Sequence, residues 1–126
     1  MAQVFDGITV LDFTRGMPGG VATMVMSDFG AEVIKVEAPS DDKFRRSSGS
    51  VQWNRGKKSV ILDLKTQKGL EQAHELSRIS DVVIESFRPG VTRRLGIDYP
   101  NLSVDHPELI YASLTGFGPE GPYANY

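Results

Sequence analysis

An α/β fold with a mostly parallel sheet and flanking helices is the class this sequence predicts, and three observations predict it. Val82, Val83 and Ile84 form a β-branched apolar run without polar alternation, the composition of a strand buried on both faces. Near the amino terminus, the strand-like segment Ile8–Phe13 is followed by a glycine-rich loop (Thr14–Gly20), a helix-period segment (Val21–Phe29) and a second strand-like segment (Glu32–Glu37). That succession is a βαβ unit, which calls for parallel strands joined by a right-handed crossover. Further strand-like and helix-like segments then follow in turn.

The 126 residues are one domain's worth of chain, enough to bury a core. A net charge of −2 gives no overall pull toward nucleic acid or a membrane surface, so basic residues matter only where they cluster. There is no cysteine, which excludes disulfides, thiolate metal sites and a cysteine nucleophile, and which fits a reducing compartment. No signal-like segment and no apolar run of membrane-spanning length is present, so the expectation is a cytoplasmic protein with no membrane and no nucleic-acid partner.

The first strand is bounded by Gly7 and by Thr14–Gly20, and Val21, Met24, Val25 and Phe29 mark the helix that Gly30 ends. The glycine loop lacks the G-x-G-x-x-G spacing and offers only Gly16, Gly19 and Gly20, which disfavours NAD. Met17, Met24 and Met26 suit core filling better than an acyl pocket, and their spacing assigns none of them to a site. Residues 38–58 have no sustained period and read as a long mobile loop. Its end, Trp53–Ser59, combines an aromatic with Arg55, Lys57 and Lys58 around a tight turn, and both phosphate contact and a solvated turn fit it.

Val60–Leu64 reads as a third strand. Thr66 is placed to cap the next helix, whose Leu70, Ala73, Leu76 and Ile79 face inward. His74 reads as an exposed helix residue and His106, before Pro107, as structural. A short helix around Leu102 and a fifth strand, Leu109–Leu114, precede a glycine- and proline-rich end with interleaved aromatics, Thr115–Tyr126.

The segment Asp81–Gly96 (DVVIESFRPGVTRRLG) concentrates the chemistry. Pro89 fixes φ, pushing Arg88 to an extended conformation, and Gly90 permits a sharp turn. A short helix then starts with Arg93 and Arg94 in its first turns, which gathers cations at the carboxyl end of a buried strand, where open α/β sheets bind ligands. An anionic ligand fits this arrangement, and so does a solvated turn with surface arginines.

Four blocks in order, VLDFTRGMPGGVATMVMSDFGAEVIKVEAP, NRGKKSVILDLKT, ESFRPGVTRRLG and LIYASLTGFGPEGPYA, resemble the class III CoA-transferases of the CaiB/BaiF type. That family includes formyl-CoA and carnitine CoA-transferases and α-methylacyl-CoA racemases. The resemblance implies a Rossmann-like fold, coenzyme A as substrate or acyl carrier, a carboxylic acid acceptor, and an interlocked homo-oligomer or a partner chain completing the fold. Family chains are about three times as long, so the resemblance covers their amino-terminal part. Residues 1–126 are then the CoA-binding region of a longer fold, an incomplete large domain whose open edge favours self-association.

The resemblance also implies the binding positions. Gly16, Met17 and Pro18 match the loop that approaches the thioester end. Leu62, Leu64 and Lys65 match the strand end that meets adenine and ribose. Ser86, Phe87, Arg88 and Arg94 match the next strand end, with an aromatic for the base and cations for the phosphates. Lys57 and Lys58 rank lower. The family's acyl-carrying aspartate, and the histidine and aspartate of its racemases, match no position here, so no catalytic or metal-binding residue is assigned and the chain alone is expected to be inactive. Asp12, Asp63 and Glu85, at strand ends, read as structural. The leading expectation is the CoA-binding portion of a CoA-transferase; a racemase portion and a non-catalytic nucleotide-binding module are the alternatives.

Overall fold

A computed structural model describes the backbone of residues 1–126 and every side chain except those of Asp42 and Phe44. The elements in chain order are β1 (Thr9–Asp12), α1 (Met17–Asp28), β2 (Glu32–Glu37), α2 (Asp42–Arg45), α3 (Ser48–Trp53), β3 (Lys58–Ile61), α4 (Gln67–Arg78), β4 (Val82–Glu85), α5 (Val91–Leu95), α6 (Tyr99–Leu102) and β5 (Ile110–Ser113). The five strands form one sheet in the order β3-β2-β1-β4-β5, and every pairing is parallel. The mostly parallel α/β class expected from the sequence is the class found.

The central strands are covered on both faces, as their unbroken apolar runs require. Leu11 pairs with Ile34 on one side and Val83 on the other, and these side chains share a core with Phe13, Ala73 and Ile97. The alternate positions, Val10, Val33, Val82 and Ile84, pack on the opposite face with Met26 of α1. Between β1 and β4 the direction of winding reverses, which opens a crevice at the carboxyl edge of the sheet.

Three local differences from the sequence reading have physical causes. The expected loop over residues 38–58 contains α2 and α3, too short to establish a helical period. In α1 the period marks the helix but not its buried face. Gly19, Gly20 and Thr23 turn inward, while Met17, Val21, Val25 and Phe29 are exposed, because small residues let the helix lie close to the strand ends. Ile79, expected inside, is 66 % exposed; it is the C-cap beyond the last turn of α4, and the chain there buries Ser77 and Ser80 instead. Thr66 does cap α4, its Oγ1 accepting the Gly69 amide at 3.0 Å.

Candidate functional site

Three carboxylates shape the carboxyl edge, Asp12 and Glu85 at the ends of β1 and β4 and Asp63 two residues beyond β3. Asp12 Oδ1 accepts the Thr14 amide at 2.8 Å, Asp63 Oδ1 the Lys65 amide at 3.0 Å and Glu85 Oε2 the Phe87 amide at 2.7 Å. Each bond runs from a side chain to the backbone two residues ahead, the contact by which acidic residues bend a chain into a turn. The carboxylates expected to be structural therefore hold the loops on which the expected binding residues stand.

Those loops enclose a cleft of about 580 Å³. Phe13 and Val36 lie at its sheet side, Leu62 and Leu64 come from the β3–α4 loop, and Phe87, Val91 and Leu95 from the β4–α5 segment. Arg15, Lys65 and Arg94 supply its cations, and Asp63 is its acid. Among the described residues, no ion pair engages Lys65, Arg88 or Arg94. An apolar slot edged by uncommitted cations suits a flat, anionic ligand.

Of the ten expected binding residues, Leu62, Leu64, Lys65, Phe87 and Arg94 line this cleft. Gly16 instead lines a neighbouring cavity of about 40 Å³, together with Thr14, Arg15, Lys35 and Trp53. At φ +78° Gly16 occupies backbone space that other residues rarely adopt, and it ends the loop where α1 begins. Met17 and Pro18 are exposed in the first turn of α1 and line neither space. Arg88 is exposed on the turn before α5, also outside the cleft. Ser86 is engaged internally: its hydroxyl accepts the Arg15 amide at 2.7 Å and donates to the Arg15 carbonyl at 3.2 Å, tying the β4–α5 loop to the β1–α1 loop.

The sequence reading missed Arg15. It lines both spaces and lies 3.4 Å from Asp41 across the rim. Its one sequence signal is local, a cation two residues beyond a strand followed by glycine. The Trp53–Ser59 turn, read as a phosphate contact or a solvated turn, spends its cations within the chain. Arg55 pairs with Asp28 at 2.5 Å, Lys58 pairs with Glu32 at 2.7 Å, and Lys57 points inward. His74 is half-buried and Nε2 meets the Gly96 carbonyl at 2.8 Å, a contact that joins α4 to the end of α5.

Beneath the β1–α1 loop lies a buried ionic cluster. Asp12 is fully buried, with Lys35 Nζ 3.2 Å from Oδ1 and Lys57 Nζ 3.2 Å from Oδ2. The Thr14 and Thr23 hydroxyls each donate to it at 2.6 Å. Burial alone would raise the Asp12 pKa, but Lys35, the two hydroxyls and Lys57 outweigh it and hold the carboxyl below its usual range. Burial pushes the Lys57 ammonium pKa down, with Asp12 opposing the shift and Lys35 adding to it. Lys35 Nζ also donates to the Thr14 carbonyl, so the loop is fastened through its backbone as well.

The family described as CoA-transferase family III matches residues 5–126. The probable fatty acyl-CoA transferase Rv3272 of Mycobacterium tuberculosis is 42% identical over 98% of this chain and 34% of its own length. The acetyl-CoA:oxalate CoA-transferase of Acetobacter aceti is 41% identical over 97% of this chain and 34% of its own length. A crystal structure of Rv3272 superimposes with a TM-score of 0.93 at 43% identity, covering 99% of this chain and 37% of that one. A CAIB/BAIF family protein from Brucella suis gives a TM-score of 0.90 at 38% identity, covering 99% of this chain and 36% of that one. The chain spans about a third of the length of these relatives.

Proposed function

The chain belongs to CoA-transferase family III, and from that membership we propose that it is the CoA-binding amino-terminal portion of an enzyme that moves CoA between carboxylic acids. The observation that carries the reading is the cleft at the winding reversal, where five of the residues that the resemblance implies, distant in sequence, share one space. Leu62, Leu64 and Phe87 offer apolar and aromatic surface to the adenine. Lys65 and Arg94 offer charge-assisted hydrogen bonds to the phosphates, with Arg88 at the rim. The arm of the ligand then runs toward Arg15 and Gly16, where Met17 and Pro18 open α1. Ser86 serves by holding that loop rather than by touching the ligand, since its hydroxyl is bonded to Arg15 in both directions.

The reading assigns this chain the binding of CoA or acyl-CoA, and assigns the acyl-carrying carboxylate to none of its residues. Asp12, Asp63 and Glu85 are committed to backbone amides, which supports leaving them out of the chemistry. A cytoplasmic location agrees with the absence of cysteine. No helix is long and apolar enough to cross a membrane among the described residues. Association with a second copy, or with a chain that completes the fold, has support in the exposed apolar side chains along α1.

Calorimetric titration of CoA into the wild-type chain, Arg94→Ala and Arg93→Ala tests the reading. Arg93 is on the same short helix but does not line the cleft. Losing a charge-assisted contact at Arg94 costs about 1.5–3 kcal/mol, roughly 10- to 150-fold in affinity, while Arg93→Ala stays close to wild type. No binding by the wild type, or equal affinities for wild type and Arg94→Ala, rejects the reading of the cleft.

A further inference from the structure

Lys57 is one cation more than the buried cluster needs. Its side chain is 1 % exposed, and the Asp12 carboxylate it approaches already has Lys35 at 3.2 Å. One carboxylate shared by two ammoniums leaves an excess positive charge inside the fold, and a buried charge is costly unless it is matched. Removing Lys57 would leave Asp12 still paired with Lys35, so charge balance alone supplies no reason for the second ammonium. Geometry does. Nζ has three protons and meets three acceptors on three separate segments: Asp12 Oδ2 at the end of β1 at 3.2 Å, the Gly20 carbonyl in α1 at 3.0 Å, and Asn54 Oδ1 after α3 at 3.4 Å.

These acceptors bracket the β1–α1 loop. Its near end is held by Asp12, which binds the Thr14 amide and hydroxyl, and its far end is the turn of α1 that contains Gly20. Trp53 closes the same junction, because a Cβ added at Gly20 would lie 2.6 Å from Trp53 Cδ1. We infer that Lys57 is a positioning residue: by joining Asp12 to the Gly20 carbonyl and to Asn54, it locks residues 13–20 in the arrangement that presents Arg15 and Gly16 to the ligand. The inference rests on the proposed CoA reading for the identity of the ligand, but not for the order of the loop.

Lys57→Met keeps an unbranched apolar stem as far as Cε, with sulfur in place of one methylene, and removes the ammonium. Lys58→Met is the control, a neighbouring lysine whose partner, Glu32, lies at the surface. The first readout is amide hydrogen exchange in residues 14–20, with the β4 amides as the internal reference for global opening. Lys57→Met is expected to speed loop exchange by roughly tenfold, the size of one charge-assisted hydrogen bond, with β4 unchanged. Lys58→Met leaves both at wild-type rates. The second readout is CoA affinity, expected to fall about tenfold in Lys57→Met alone. The third is in the wild type, where the Lys57 ammonium protons should exchange with water more slowly in NMR spectra than those of Lys58.

Wild-type loop exchange in Lys57→Met, loop and β4 amides accelerated together, or a fast-exchanging Lys57 ammonium would each overturn the inference. A Lys57→Met chain that cannot fold would also overturn it, because the ammonium would then hold the whole fold rather than this loop. If the wild type fails to bind CoA, the proposed function falls while the exchange measurements still decide the role of Lys57. Faster loop exchange with unchanged CoA affinity would overturn the presentation of Arg15 and Gly16 to the ligand.

Discussion

Gly19→Ala sets two known effects of opposite sign against each other, and the geometry decides between them. Inside a helix, alanine is favoured over glycine by up to about 1 kcal/mol. A Cβ at residue 19, however, would stand 2.2 Å from Thr14 Cβ, 2.4 Å from Cγ2 and 2.5 Å from Oγ1. The first separation is about 1.3 Å shorter than the ~3.5 Å at which carbon atoms meet comfortably. Rotating Thr14 gives no relief, because the clash includes its Cβ and because its amide and hydroxyl are both bonded to Asp12. Either α1 must lift or the β1–α1 loop must move, and overpacking of this kind costs about 1–3 kcal/mol. The expected net result is a loss of up to about 2 kcal/mol despite the better helix former. Urea unfolding followed by the emission of Trp53, the single tryptophan, measures it directly. Gly116→Ala is the control, since a Cβ there has open space, and it should fall within about 0.5 kcal/mol of wild type. A Gly19→Ala midpoint at or above the wild-type value would refute the argument that the helix lies this close to the loop.

Other perturbations follow from the same contacts. In the folded chain the Asp12 carboxyl is held below its unfolded value of 3.8, so the unfolded chain takes up the proton first on acidification. The contribution of Asp12 is therefore complete above pH 3.8 and is lost as the pH falls through the lower folded value. Acid titration monitored by circular dichroism should show this limb, and Asp12→Asn should begin less stable with a shallower decline. For Tyr111, burial first and Glu85 second push the phenol well above its unfolded value of 10.0, and the hydroxyl donates to the Ile97 carbonyl at 3.0 Å. Its stabilisation is present below pH 10.0 and declines above it, as the unfolded chain ionises first. The phenolate absorbance that Tyr111→Phe abolishes should consequently appear only together with alkaline unfolding; its appearance in the folded chain would contradict the burial. Thr66→Ala removes the acceptor for the Gly69 amide and should cost about 0.5–2 kcal/mol in urea unfolding. An unchanged midpoint would show that water replaces the cap.

Much of the fold is written in local runs. Val82–Ile84 needs no partner to declare a strand buried on both faces, and Thr66 marks the start of α4 three residues before the amide that it caps. The turns after the strands were legible for the same reason, since Asp12, Asp63 and Glu85 each accept the backbone amide two residues ahead, although the third strand, expected over Val60–Leu64, runs over Lys58–Ile61. In α1 the sequence period located the helix, while Gly19 and Gly20 read as the end of a glycine-rich loop ahead of it. Gly19 and Gly20 instead make room for Thr14 and Trp53, contacts that a local reading of glycine does not distinguish from ligand approach.

The sequence by itself determined the α/β class and the succession of strands, and pointed to the carboxyl edge as the expected place of a ligand, because strand burial, turn chemistry and capping act over a few residues. Only the tertiary structure decided which cations serve the cleft and which serve the protein. Arg94 lines the cleft and Arg93, next to it, does not, a choice set by the direction of α5 against β3 and β4. Lys57 and Lys58 are also adjacent, yet one joins the interior and the other the surface. Asp12 meets Lys57 across 45 positions and Ser86 meets Arg15 across 71. Those encounters depend on the strand order, which brings distant strand ends to one edge. A side chain's reach to its neighbours in sequence is local chemistry, but its commitment to a distant partner exists only once the sheet has closed around it.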